Sequence, residues 1–303
     1  MNIMLRSNLL LLLTAFIWGF AFVAQLVGMD HVGPFTYNGI RFALGSLSLL
    51  PLLVYFNKHP SKTPAIDNQQ SSAWPMGLLA GIIIFVASSL QQIGLLYTTA
   101  GKAAFITALY LILVPIAGIF LKQSITIITW LGSVLAVIGL YLLCVKENFT
   151  ISPGDLLELL GALFWTAHIL VIDRFSRKTN AIKLAFFQIL TCSLLSLGMA
   201  TWLETIRLND ILQAAIPILY GGIGSVGIAY TLQIIGQKNA APAHAAIIMS
   251  METVFAAIGG YLILNERLGL AELVGCTLML SGMLLSQLTG LKAQPKSPKP
   301  LVS

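Results

Sequence analysis

Long apolar stretches follow one another along almost the whole chain, with short polar connections between them. Ten reach the length of a membrane-spanning helix: 8–28, 37–56, 75–97, 103–121, 126–145, 155–172, 184–203, 212–235, 243–264 and 270–290. An α-helix of about 20 residues crosses about 30 Å of hydrocarbon. The alternating pattern of a membrane barrel is missing, and unpaired backbone groups are costly in lipid. We therefore predict an all-α polytopic membrane protein with ten transmembrane helices.

The composition supports this fold class. Hydrophobic residues make up 57% of the 303-residue chain, charged residues 9%, and the mean hydropathy is +0.88. Soluble domains carry about 25% charged residues, so a soluble fold would lack polar side chains to cover its surface. The longest connection, 57–74, is too short for a folded extramembrane domain. Residues 291–303, rich in Lys and Pro, are predicted to form a disordered tail.

The basic residues predict the orientation. Ten spans place both termini on one side, and that side collects twelve of the 17 Lys and Arg residues, against four on the other side and Arg41 within span 2. Basic residues accumulate in cytoplasmic loops, so both termini and the tail are predicted to be cytoplasmic. The net charge is +6, but the basic residues form no run with interleaved aromatic residues. Nucleic acid is therefore excluded as a partner.

The two halves of the chain resemble each other. The matches are 15–19 with 162–166, 100–104 with 241–245, and Gly132 and Gly139 with Gly275 and Gly282, at offsets of 147, 141 and 143. We predict a first repeat at 8–145 and a second at 155–290. Each repeat holds five spans, an odd number, so the second enters the membrane from the opposite side. Inverted repeats of this kind pack around a pseudo-two-fold axis in the membrane plane and suit alternating access.

These motifs resemble the drug/metabolite transporter superfamily, EamA type. The resemblance covers about residues 8–290 and is carried by the Trp18 segment, 98–104, 242–255, the paired glycines and the turn 265–267. It implies ten helices, cytoplasmic termini, a location in the bacterial inner membrane and a central cavity lined by spans 1, 3, 4, 6, 8 and 9. Family members mostly export amino acids, metabolites or toxic compounds, and some import nutrients.

The chain departs from the family pattern in two places. Leu121-Lys122-Gln123 stands where the first repeat should carry a Glu-Arg pair, and Glu252-Thr253 stands where relatives have Glu-Pro. Because proline kinks a helix, span 9 is expected to be straighter here than in relatives.

Glu252 is the leading candidate for chemistry. It lies ten residues into span 9, near the membrane midplane, where an ionised carboxylate costs roughly 2.5 kcal/mol or more. It either binds a coupling proton or is the counter-ion of a substrate amine, and proton and substrate would then compete for it. The alternative is a protonated carboxyl group that bonds a neighbouring helix.

Two other charged or titratable residues lie within spans. Arg41, four residues into span 2, either binds a substrate carboxylate or extends to the interface. His168, in span 6, either relays protons or bonds across helices. Glu158, near the start of span 6, is interpreted as lying close to the non-cytoplasmic rim, without a role in transport.

Aromatic and amide side chains are the candidates for the cavity wall. Trp18 and Gln25 share one face of span 1 with Thr14. Such a lining suits a solute with both apolar and polar parts, and helix packing is the alternative. Further candidates are Gln91, Gln92, Tyr110, Tyr230 and Gln233, together with Trp165, the repeat partner of Trp18.

These features predict a secondary active transporter that exports small organic solutes and is coupled to protons. An uncoupled facilitator or a nutrient importer of the same fold stays open. An intramembrane enzyme acting on lipid, or a membrane sensor, is the alternative from another class. The chain shows no phosphate-binding loop and no metal-ligand spacing, so we expect no cofactor and no metal. The expected partners are a small-molecule substrate, the lipid bilayer and protons, and a monomer is compatible with the pattern.

Overall fold

The computed structural model describes residues 3–58, 72–98, 100–122, 125–144, 152–263 and 269–292. Within these ranges every regular element is helical. The helices are α1 (Ile3–Met29), α2 (Pro34–Lys58), α3 (Ala73–Gly94), α4 (Ala100–Ala108), α5 (Tyr110–Phe120), α6 (Ile127–Cys144), α7 (Pro153–Ser176), α8 (Ala181–Leu203), α9 (Leu208–Gln213), α10 (Ala215–Leu219), a π-helical segment (Tyr220–Ala229), α11 (Tyr230–Gln237), α12 (Pro242–Met249), α13 (Glu252–Ile263) and α14 (Leu270–Lys292).

Eight helical stretches of 18 to 27 residues are long and apolar enough to cross a membrane. They correspond to predicted spans 1 to 4 and 6 to 9, so the chain is a multi-pass membrane protein. Predicted spans 5 and 10 correspond to α6 and α14, whose apolar stretches Ile127–Leu142 and Leu273–Ser286 are shorter. The turn at 265–267, the tail from 293 and most of the connection at 57–74 lie outside the described residues.

Helices α2 and α8, which form the equivalent spans 2 and 7 of the two halves, have different N-terminal caps. Asn180 Oδ1 precedes α8 and accepts main-chain N–H groups of that same helix. At α2 the acceptor comes from the other half: the two carboxylate oxygens of Glu204 accept the N–H groups of Phe35 and Thr36, each at 2.8 Å. Both caps satisfy donors that a helix leaves unpaired in its first turn.

Helices α6 and α14 pack closely through glycines. A methyl group built on Gly139 would lie 2.5 Å from the carbonyl oxygen of Gly275, and one built on Gly132 would lie 2.8 Å from that of Gly282. The two pairs meet in reverse chain order, so the helices run antiparallel. Gly139 contacts Gly275, the repeat partner of Gly132, and Gly132 contacts Gly282, the repeat partner of Gly139. A two-fold axis between the two helices produces this exchange of partners.

Spans 4 and 9 are each interrupted near their middle. Span 4 breaks at Leu109, between α4 and α5, and span 9 breaks between α12 and α13. At the second break, Ser250 Oγ donates to Ile247 O and Thr253 Oγ1 donates to Ser250 O, both at 2.9 Å. Hydroxyl groups bonded to preceding carbonyls bend helices. Span 9 is therefore interrupted without its proline; that it is straighter than in relatives stays a prediction.

Span 8 contains a wide helical segment where the sequence is rich in glycine. The π-helical segment lies against α2, and a methyl group on Gly222 would come within 2.7 Å of Leu44 Cβ. One on Gly227 would collide with the Ser48 hydroxyl. The absence of side chains at these glycines lets span 8 approach α2.

The interior is divided into two large apolar clusters. One is built mainly from α1, α5, α6, α12 and α14, and the other mainly from α2, α3, α8 and α11. Trp18 of α1 and Trp165 of α7 pack against both clusters. The boundary between the clusters is therefore marked by the two tryptophans that the repeat relates.

Candidate functional site

A cavity lies at this boundary. It lies between side chains of spans 1, 2, 3, 4, 6, 8 and 9 and is partly open, with about 540 Å³ of empty space that includes open solvent. The lining residues are Trp18, Ala21, Phe22, Gln25, Arg41, Gln91, Thr107, Tyr110, Trp165, Ile169, Ser225, Tyr230, Gln233, Met249 and Glu252.

Glu252 lies on the cavity wall, bonded to Tyr110. The Tyr110 hydroxyl donates to Glu252 Oε1 at 2.9 Å, and Glu252 is 5% exposed. The two residues open α13 and α5, directly after the breaks in spans 9 and 4. They are 142 positions apart, which lies within the offsets of 141 to 147 between the matching segments of the two halves. The two residues therefore occupy comparable places in the two halves and bond each other directly.

Arg41 brings a cation to the same cavity. Its Nε donates to Asn38 Oδ1 at 3.0 Å, and its guanidinium carbon lies 5.3 Å and 5.2 Å from the ring centres of Tyr37 and Phe42. Within the described part of the chain, no carboxylate forms a salt bridge with Arg41. A guanidinium has five donors, and one is used by Asn38. The cation is therefore held by an amide and two rings and keeps donors for a ligand.

Tyr230 is the centre of the aromatic wall. Its ring centre lies 5.0 Å from Trp18, 6.5 Å from Trp165 and 6.0 Å from Phe42. Ring pairs at these separations attract each other and form a rigid apolar surface. Rings of this kind also attract organic cations through their faces.

A chain of side-chain hydrogen bonds crosses the cavity wall. Trp165 Nε1 donates to Gln91 Oε1 at 3.0 Å, and Gln91 Nε2 donates to Gln25 Oε1 at 3.4 Å. This chain joins spans 6, 3 and 1. Trp18 Nε1 instead donates to the main-chain oxygen of Ser225, in the π-helical segment, at 3.1 Å. The two tryptophans therefore occupy equivalent places and use different kinds of acceptor.

Most residues singled out from the sequence meet at this cavity. Lining residues include Glu252, Trp18, Gln25, Tyr110, Gln91, Tyr230 and Arg41. The lining does not include His168, which is fully buried and bonds Gln188 through Nε2 at 3.1 Å. Of the further candidates, Gln233 and Trp165 line the cavity, whereas the fully buried Gln92 does not.

Thr107, Ser225 and Met249 line the cavity without having been selected from the sequence. Threonine, serine and methionine are common in apolar helices, so their identity carried no signal. Thr107 lies two residues before the break in span 4 and Met249 directly before the break in span 9, so the repeat could have pointed to this region of both spans.

The assembled groups can bind a solute at both ends. Arg41 supplies donors for a carboxylate, Glu252 can accept an ammonium group or a proton, and the rings around Tyr230 cover an apolar body. The described residues place all three kinds of group around one cavity, which can bind a solute.

Comparison with known proteins gives matches over nearly the whole chain. Residues 5–145 and 152–288 each match the EamA-like transporter family. A protein of Archaeoglobus fulgidus described as an uncharacterized transporter is 31% identical over 293 residues, which cover 94% of this chain and 86% of its own. An S-adenosylmethionine uptake transporter of Rickettsia bellii is 24% identical over 261 residues, or 84% of either chain.

A solved crystal structure of another protein shares the fold. The two superpose with a TM-score of 0.78 over 96% of this chain and 99% of the other, at 17% sequence identity. At this identity the likeness concerns the fold alone.

Proposed function

This chain belongs to the EamA-like transporter family of the drug/metabolite transporter superfamily, and we propose that it moves a small organic solute across the bacterial inner membrane by alternating access. The observation that carries the proposal is the cavity in which Arg41, the aromatic wall and Glu252 meet. A solute bound there would be released on either side as the two halves rock around it.

We propose ten crossings, with both termini in the cytoplasm and the two five-helix units inverted relative to each other. The antiparallel glycine pairs of α6 and α14 support the inversion. So does the contact between Tyr110 and Glu252, which equivalent residues make across the halves. The excess of basic residues on the terminal side supports the orientation.

The preferred solute carries a carboxylate and an ammonium group on an apolar or aromatic body. The carboxylate would bind the free donors of Arg41, and the ammonium group would approach Glu252. Because Glu252 has no cation partner within the described chain, a proton or the solute can supply the missing positive charge. Competition between the two couples proton entry to solute exit, which is the mechanism of a proton-driven exporter.

The test is transport by everted membrane vesicles that carry the protein, with an imposed pH gradient and a panel of radiolabelled zwitterions that includes S-adenosylmethionine. We expect gradient-driven accumulation of at least one solute by the wild type and none by Glu252→Gln. Asp173→Asn is the matched control, because this carboxylate pairs with exposed Arg177 outside the cavity. Equal accumulation by Glu252→Gln and the wild type would disprove the coupling role of Glu252.

Uptake is the second candidate direction. It is favoured by the relative of Rickettsia bellii that is named for S-adenosylmethionine uptake. S-adenosylmethionine carries a carboxylate, an ammonium group, a sulfonium and an aromatic base, which match the groups around the cavity. Accumulation in right-side-out vesicles and not in everted vesicles would establish this direction. Flux down the solute gradient at a rate that does not depend on the pH gradient would identify a facilitator.

A further inference from the structure

Glu158 is a buried carboxyl group that the proposed transport cycle leaves without a role. Its side chain is 0% exposed, in the second turn of α7. Oε2 accepts the hydroxyl hydrogen of Thr107 at 2.8 Å, and Oε1 has no partner within the described part of the chain. A methyl group on Gly94 would lie 2.8 Å from Oε1, so this glycine provides the space for the carboxyl group.

Thr107 connects Glu158 to the cavity. It lies in the last turn of α4 and lines the cavity, while Tyr110 lies just beyond the break and opens α5. Thr107 donates to Glu158, and Tyr110 donates to Glu252. Each side of the break in span 4 is therefore bonded to a buried carboxyl group through one hydroxyl.

Asp155 connects Glu158 to the end of the membrane-spanning helix. It lies one helical turn before Glu158, near the start of α7, and it accepts the Thr98 hydroxyl and the Ser152 main-chain N–H. Within the described chain, Asp155 is the titratable group whose charge interacts with Glu158. Acidic and hydroxyl groups thus follow one another from the start of α7 to the cavity.

The isolation of Glu158 from cations limits how it can be charged. It forms no salt bridge within the described residues, and a buried carboxylate without a cation is strongly disfavoured. A carboxyl group in such a place is typical of proton relays in membrane proteins. Glu158 has the partner that a relay needs, because the hydroxyl of Thr107 is both a donor and an acceptor.

We propose that Glu158 is a second proton-carrying site, through which protons pass between the start of α7 and the cavity. This inference rests on the proposed proton coupling. In the step from the cavity to Glu158, a hydronium ion in the cavity gives a proton to the Thr107 hydroxyl oxygen as Thr107 passes its own proton to the Glu158 carboxylate. Two O–H bonds break and two form, the hydronium becomes water, and the net result is the transfer of one proton; the reverse step returns the proton to the cavity.

The first test separates proton-driven flux from solute exchange in proteoliposomes, with the panel solute that the wild type transports fastest as the probe. We expect Glu158→Gln, which can still accept from Thr107, to keep exchange and lose gradient-driven flux. Thr107→Val should lose the same flux and Thr107→Ser should restore it. Asp173→Asn, an equal change on the same helix, is the control. Wild-type gradient-driven flux in Glu158→Gln would overturn the relay.

The second test needs no solute. Infrared difference spectra of the protein in lipid bilayers, recorded on a pH jump, should contain the carbonyl band of a carboxyl group that gains or loses a proton. We expect one component of this band to be absent in Glu158→Gln and present in Glu252→Gln. Identical spectra for Glu158→Gln and the wild type would overturn the proposal.

The two failures are distinguishable. If the wild type transports the probe without regard to pH, the proposed coupling fails and the relay fails with it. If the wild type is coupled and Glu158→Gln is coupled to the same extent, the relay alone is wrong.

Discussion

The breaks in spans 4 and 9 lie at equivalent places in the two halves, yet the side chains beside them differ. In the first half the break is followed by Tyr110, and in the second by Glu252. The two side chains bond each other across the boundary between the halves. The duplicated backbone feature was thus kept in both copies while its chemistry was divided, with the carboxyl group in one copy and its hydroxyl partner in the other.

The tryptophans show the same division. Trp165 bonds the amide of Gln91, whereas Trp18 bonds a main-chain oxygen of the π-helical segment. Span 3 has no counterpart of that segment in the described residues. The two halves therefore agree in the position of the tryptophan and differ in the hydrogen-bond acceptor that fixes it. The predictions below test the agreement first and the differences afterwards.

The glycine contacts of α6 and α14 are the strongest agreement between the halves, and breaking them should have the largest effect. Gly139→Ala and Gly282→Ala each place a methyl group 2.5 Å from a facing carbonyl oxygen. We expect each to cost about 1–3 kcal/mol of stability, because the helices must separate. Thermal unfolding in detergent measures the loss.

Gly198→Ala is the control for these substitutions. No atom lies within 4 Å of a methyl group at this position of α8, and alanine favours the helix by about 1 kcal/mol over glycine. Its melting temperature should equal or exceed that of the wild type. If Gly139→Ala melts like Gly198→Ala, the close contact of α6 and α14 is wrong.

The caps of α2 and α8 should differ by a smaller amount. Asn180→Ala removes a cap from within the same half and should cost about 1 kcal/mol. Glu204→Ala removes an acceptor for two N–H groups at 2.8 Å and a connection between the halves. We expect it to cost about 2 kcal/mol, because hydrogen bonds to charged groups are roughly twice as strong. Melting temperatures of the two variants give the order, and a reversed order would contradict it.

The tryptophan contacts should show the smallest effect, as a coupling energy. Trp165→Phe combined with Gln91→Leu should show coupling of about 1 kcal/mol, or roughly fivefold in half-saturating solute concentration. Trp18→Phe combined with Ser225→Ala should show coupling near zero, since the acceptor oxygen belongs to the main chain. Equal coupling in the two double-mutant cycles would mean that the acceptors do not differ in kind.

The fold followed from the sequence because lipid leaves few choices. Long apolar stretches with uncharged interiors must be helices, and eight of them are long enough to span a membrane. The polar residues that line the cavity were visible for the same reason, since Glu252, Arg41 and Gln91 stand out within apolar surroundings. Their shared cavity was expected from the family resemblance and from the repeat.

The remaining features depend on contacts that cannot be predicted from residue type. His168 was a candidate because of its chemistry, but the rotation of α7 directs it to Gln188 of α8. Glu158 was predicted near the rim because it lies near a helix start, and its enclosure by Gly94 and Thr107 could not be predicted from that position. The break in span 9 is accompanied by hydroxyl bonds to the backbone, and the sequence without a proline gave no sign of it.

The bond from Trp18 to the main-chain oxygen of Ser225 has a consequence for how this protein diverges. Every amino acid supplies the same carbonyl, so the identity of residue 225 does not determine whether Trp18 has an acceptor. Position 91, whose side chain receives Trp165, is constrained to an acceptor. Across homologues, covariation should therefore link 91 with 165 and leave 18 and 225 statistically independent, although both pairs touch.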